Sequence, residues 1–152
     1  MMEDALHDAT EELKRADHLL YVSLKYTRTV DVIKSLLERI IAGFQCVIDG
    51  LLQKARKEEK IDDVPSAPKR KIEKLLELYP EQEMVDYIEF FVLLRKLSKA
   101  KYTARQEYRR HVTMEAVLED QEIYEVDIDK SHEFYDTAKK FIEYVRENYG
   151  GE

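Results

Sequence analysis

Apolar residues recur at alternating steps of three and four from the start of the chain. Leu6, Ala9, Leu13, Ala16, Leu20 and then Ser23 or Leu24 carry the pattern, with Glu3, Asp4, Asp8, Glu11 and Glu12 on the polar side. That spacing predicts an amphipathic helix, and acids in its first turn suit the positive end of a helix dipole. Residues 27–29 predict a break. Thr29 is placed to cap a second helix whose apolar positions are Val30, Ile33, Leu37, Ile40, Phe44, Val47 and Leu51. Leu36, Ile41, Ile48 and Leu52 widen its stripe, so this helix is expected at the centre of a bundle, contacted from more than one side. Gly43 and Gly50 lie seven residues apart on one face. They read either as a close helix crossing or self-association face or, more ordinarily, as incidental small residues.

Residues 54–60 are almost wholly charged, and residues 61–68 carry two prolines, which together predict the clearest loop in the chain. Periodicity resumes with Ile72, Leu75, Leu76 and Tyr79, closed by Pro80. A fourth helix follows on Met84, Tyr87 or Ile88, Phe91, and Leu94 or Leu97, and is expected to run on through Lys101 toward Tyr108. Residues 117–129 are acidic and irregular. Residues 124–128 alternate like a strand, but an isolated strand has nothing to pair with, so an extended connection is expected there. Asp129 or Ser131 then caps a last helix with Phe134, Ala138, Phe141 and Val145 inside and Gly150-Gly151 at its end. The expected fold is all-α: one domain over residues 1–152, an up-and-down bundle of about five helices with a long central second helix.

Composition agrees. The 152 residues are 44% hydrophobic with only 4 Gly and 3 Pro, which favours long helices over turns. The single Cys46 cannot form an internal bridge, and its place between Phe44 and Val47 reads as a buried, inert thiol. With no charged-then-apolar leader and no apolar run near 18 residues, a cytoplasmic protein without membrane contact is expected. Helical bundles often hold two metals on Glu and Glu-x-x-His ligands, but no Glu-x-x-His occurs, and His7, His18, His111 and His132 are scattered. Glu107 and His111 stand one helical turn apart, the ordinary spacing of a surface pair. Phosphate-cradling glycine loops are absent, so no metal or cofactor is expected.

Charge placement is more informative. Between Arg95 and His111 the cations Arg95, Lys96, Lys99, Lys101, Arg105, Arg109 and Arg110 face only Glu107, a net of plus six in a chain whose formal net charge is −7. Positive charge is concentrated locally, and Tyr102 and Tyr108 interleave with it. Lys99, Lys101, Arg109 and Arg110 would bind phosphates while the two rings stack on unpaired bases. The plainer alternative is a solvated basic face paired with the acidic helices of its own bundle.

Arg105-Gln106-Glu107-Tyr108-Arg109-Arg110-His111 is an arginine with five residues before a histidine. This resembles the HEPN superfamily, small all-α domains, many of them ribonucleases or RNA-binding proteins, marked by such an arginine–histidine spacing late in the bundle. The resemblance makes Arg105 and His111 the catalytic candidates and departs from the family at Gln106, where Asn, Asp or His is usual. It implies metal-independent RNA cleavage, a homodimer with motifs facing one another, and, as in some HEPN relatives, a nucleotidyltransferase partner. The chemistry is coherent on its own terms. His111 would serve as base or acid toward the ribose hydroxyl, and Arg105 would hold phosphate oxygens bidentately. On one straight helix, however, the two side chains would stand roughly 120° apart and about 9 Å along the axis, so a helix break or a second subunit is required. Two functions are therefore expected in competition: a HEPN-like RNA-binding protein that would act as an endoribonuclease, and a non-catalytic helical module for protein interaction or dimerisation.

Overall fold

The computed structural model describes residues 2–150. Helix α1 (Met2–His18) continues without a break through a π-helical turn (Leu19–Ser23) into a last short turn (Leu24–Tyr26). Its buried stripe is Met2, Leu6, Ala9, Leu13, Ala16, Leu20 and Leu24. The π turn takes up one extra residue, which is why the stripe passes from Leu20 to Leu24 and Ser23 drops out of it. The chain breaks at residues 27–29 as expected, and α2 (Val30–Lys57) begins with the Thr29 hydroxyl accepting from the Val32 N–H at 3.4 Å.

α2 is the most buried element, with Ile33, Leu36, Leu37, Ile40, Leu51 and Leu52 fully enclosed. Every other helix packs against it: α1 along most of its length, then α3 (Pro68–Leu78), α4 (Gln82–Lys99) and α5 (Ile128–Tyr149). Its centre is the Phe44 ring, stacked on Phe141 of α5 at 4.3 Å and on Phe91 of α4 at 5.5 Å. The two glycines face α1. Gly43 sits opposite Ala9 and Leu13 with room for a methyl group, whereas a Cβ at Gly50 would overlap that of Ala5. The incidental-residue reading therefore fails at Gly50, where α1 and α2 approach too closely for any side chain.

The molecule is mostly helical but not all-α. α4 stops at Lys99; Ala100 turns extended, and residues expected to prolong the helix form strand β1 (Lys101–Arg105). It pairs antiparallel with β2 (Thr113–Val117), which pairs antiparallel with β3 (Ile123–Val126), giving a sheet of order β1-β2-β3. Of residues 124–128, expected as an extended connection for want of a partner, 124–126 pair with β2 and 127–128 begin the last helix. The physical reason is period-two burial: Met114, Ala116 and Val126 are buried on one face, which lies over α2 and α5. α5 is capped ahead of both expected residues, two positions before Asp129 and four before Ser131, by Asp127, whose carboxylate accepts from the Lys130 N–H at 2.7 Å. α5 runs to Tyr149 with Gly150 as its cap, and Gly151 lies outside the described residues. No helix among the described residues is long and apolar enough to cross a membrane.

Candidate nucleic-acid interface

Alternation along the strands divides the sheet into two faces. Lys101, Thr103 and Arg105 of β1 share the outer face with Thr113, Glu115 and Val117 of β2 and with Ile123 and Glu125 of β3. Tyr102 and Ala104 share the inner face with Met114, Ala116, Tyr124 and Val126. All five residues of β1, an edge strand of the sheet, are exposed.

Between β1 and β2 the loop of residues 106–112 reaches back to the junction of α1 and α2. The Glu107 carboxylate accepts from the Val30 N–H at 3.0 Å, and the Tyr108 N–H donates to the Arg28 carbonyl at 2.6 Å. Glu107 thereby supplies negative charge and an acceptor at the N-terminus of α2, beside the Thr29 cap. Gln106 and Tyr108 hold left-handed backbones, φ 54° and 65°, which non-glycine residues adopt only when the surroundings impose them. The two anchoring bonds impose them here.

All eight candidate residues come together on this one hairpin and the helix end that feeds it, though not on a helix. Lys99 ends α4; Lys101, Tyr102 and Arg105 lie on β1; Tyr108, Arg109, Arg110 and His111 lie in the loop. Arg105 is not a free guanidinium. Its Nη2 lies 3.3 Å from Glu125 Oε2 and its Nη1 4.0 Å from Glu115 Oε2, so it ties the three strands together across the outer face. His111 is exposed in the loop, and its carbonyl accepts from the Thr113 hydroxyl at 2.9 Å. The inner-face ring of Tyr102 already carries the Lys34 ammonium of α2 at 4.9 Å from its centroid. Tyr108, by contrast, is 77% exposed and has no ring neighbour among the described residues.

Four cations stay uncompensated. Among the described residues, no carboxylate lies within ion-pair distance of Lys99, Lys101, Arg109 or Arg110; Glu107 is engaged on α2 and Glu115 and Glu125 on Arg105, while Glu119 lines the same shallow cavity as Lys99 without pairing with it. The fold adds neighbours that sequence proximity did not offer. Residues 25–28, carried to the loop by the Tyr108–Arg28 bond, bring Lys25, Tyr26 and Arg28. The interleaving of cation and ring in Lys25-Tyr26-Thr27-Arg28 was a readable signal; its adjacency to the hairpin was not. Elsewhere, Cys46 is half-buried rather than fully buried, and its thiol is pushed up by burial and by the nearby Asp8, Glu12 and Asp49 carboxylates, all of which disfavour the thiolate. Among the described residues no group of three His, Cys, Asp or Glu side chains is placed to hold a metal ion.

Compared with family models, curated proteins and solved structures, the chain finds no match. Its class is therefore stated from its own geometry: a mostly helical bundle with a three-stranded antiparallel sheet that presents a basic hairpin.

Proposed function

We propose that this protein binds RNA through the β1–β2 hairpin and the adjoining end of α4. One observation carries this: in a chain of net charge −7, Lys99, Lys101, Arg109 and Arg110 are exposed on one hairpin and the helix end that feeds it, with no carboxylate within ion-pair distance among the described residues. Leaving like charges side by side costs free energy in the isolated fold, and polyanion phosphates offset it. The HEPN-like spacing of Arg105 and His111 falls on the same hairpin. With Arg105 held by two carboxylates, the supported activity is binding rather than cleavage. A homodimer formed by β1 pairing antiparallel with its own copy about Thr103 would set Lys101 against Arg105 of that copy, so we do not place self-association at this edge.

The test is anisotropy of a labelled RNA over a range of salt concentrations. Affinity should fall with salt at a slope of about 0.7 per phosphate neutralised on a single strand. Lys101→Ala with Arg109→Ala should lower both affinity and slope, while Arg105→Ala, whose charge is already compensated, should change the slope less. RNA incubated in EDTA with wild type or His111→Ala should stay intact; cleavage by wild type alone would restore the endoribonuclease reading. Absence of binding to any RNA at low salt would overturn the proposal and leave the hairpin as a protein-docking surface.

A further inference from the structure

Two tyrosines are the most exposed large apolar side chains among the described residues. Tyr26, at the end of α1, and Tyr108, at the tip of the hairpin loop, are each 77% exposed. They lie some 80 residues apart in sequence, yet the fold holds them together. The Tyr108 N–H donates to the Arg28 carbonyl at 2.6 Å, and two residues of extended chain span at most about 7 Å, so the Tyr26 and Tyr108 backbones are near neighbours. Neither ring packs on another ring among the described residues, and the Lys25 ammonium lies 5.8 Å from the Tyr26 centroid.

The surroundings match the rings. Lys25, Arg28, Arg109 and Arg110 flank them, and none has a carboxylate within ion-pair distance among the described residues. The Arg28 Nε is buried and has no acceptor. The acids at this end are Asp31, in the first turn of α2, and Glu107, which is engaged on the Val30 N–H. The loop that carries Tyr108 is held in its left-handed backbone by the two anchoring bonds, so the ring is presented from a fixed base rather than from a free tip.

Resting on the RNA-binding function, we infer that Tyr26 and Tyr108 form a stacking platform for unpaired bases, with Arg28, Arg109 and Arg110 on the flanking phosphates. An aromatic face attracts any base whose own face is free, and unpartnered cations attract the backbone that carries it. The ligand class is then single-stranded RNA or an unpaired loop rather than duplex. The platform also differs from the Tyr102 ring suggested by sequence, which lies on the inner face of the sheet with the Lys34 ammonium over it.

The experiment compares four labelled ligands of one sequence: single-stranded RNA, its duplex, the same strand as DNA, and a strand with abasic sites in its central third. Single strands should bind tightest, and the abasic strand should lose affinity. RNA should exceed DNA only if the 2′-hydroxyl is read. Tyr26→Ala and Tyr108→Ala should each weaken single-strand binding by about 5- to 150-fold with the salt slope unchanged, and Tyr26→Phe and Tyr108→Phe should restore most of it. Both rings are exposed, so the alanine variants retain the fold, which circular dichroism checks. Duplex and abasic ligands that bind as tightly as the intact single strand, or alanine variants that bind like wild type, would remove the platform while leaving RNA binding in place. If no nucleic acid binds at low salt, both this platform and the function beneath it fall.

Discussion

α2 and β1 are held in place by opposite means. α2 buries Val30, Ile33, Leu36, Leu37, Ile40, Phe44, Val47, Ile48, Leu51, Leu52 and Ala55 against every other helix, whereas β1 buries no residue at all. α2 is fixed by hydrophobic burial along its own length. β1 is fixed by its ladder to β2, by the ion pairs of Arg105, and by the two bonds that pin its loop onto the start of α2. Stability is therefore concentrated in the bundle, and the candidate interface stands on the part that opens most easily. Recognition groups placed there are accessible because they do not serve the core.

The largest expected effect comes from emptying the centre of the bundle. Phe44→Ala removes a ring stacked on Phe91 and Phe141 and should destabilise the fold by about 3–5 kcal/mol, read from denaturant unfolding. RNA binding by the remaining folded fraction should be unchanged, and a loss there would show that the hairpin depends on the core more than its exposure implies.

Next come the glycines of α2, where a single methyl group should act with opposite signs. Gly50→Ala drives a Cβ into that of Ala5 and should cost about 1–3 kcal/mol of overpacking. Gly43→Ala meets only ordinary contacts at 3.6 Å and should stabilise by about 0.5–1 kcal/mol through the gain in helix propensity. Equal effects at the two sites would contradict the close crossing.

Glu107→Ala should sharpen the comparison, since it cuts the hairpin from α2. About 1 kcal/mol of stability is expected to go, with faster hydrogen exchange confined to residues 101–112 and the start of α2. Uniform acceleration over the whole bundle would mean that the two regions unfold as one.

Alkali gives the gentlest probe. Tyr135 on α5 is 8% exposed, and burial, with Asp17 beside it, pushes its phenol from 10.0 up to about 12. The neutral phenol is thus favoured in the folded state. Its stabilisation is complete below pH 10 and is lost as pH rises from there through about 12. Tyr135→Phe should flatten the fall in unfolding free energy over that window, read from denaturant unfolding at a series of alkaline pH values.

The helices, their order, the break before Thr29 and the central place of α2 were legible, because an i→i+4 helix writes its buried face into the chain at a period of 3.6. The sheet was not. Lys101-Tyr102-Thr103-Ala104-Arg105 buries nothing and, with no glycine or proline between it and α4, it continues the helical pattern on paper. Residues 124–126 did alternate, but a strand is recognised only with its partner, and that partner was itself hidden. Charge gathered the candidate residues to one segment, residues 99–111. Their roles depended on residues far away: Glu107 acts on Val30, 77 positions back, and Glu125 takes up the charge of Arg105.

By itself, then, the sequence determined the helical periods, the core they bury and the local excess of positive charge, all of which are set by neighbours within a turn or two. Tertiary structure alone decided that residues 101–126 form a sheet, that Arg105 is paired with carboxylates while Arg109 and Arg110 are not, and that the loop carrying Tyr108 is bonded to the backbone two residues after Tyr26. Strand ladders, ion pairs and shared surfaces join residues that chain separation does not relate, and their energies exist only once the bundle has brought those residues together.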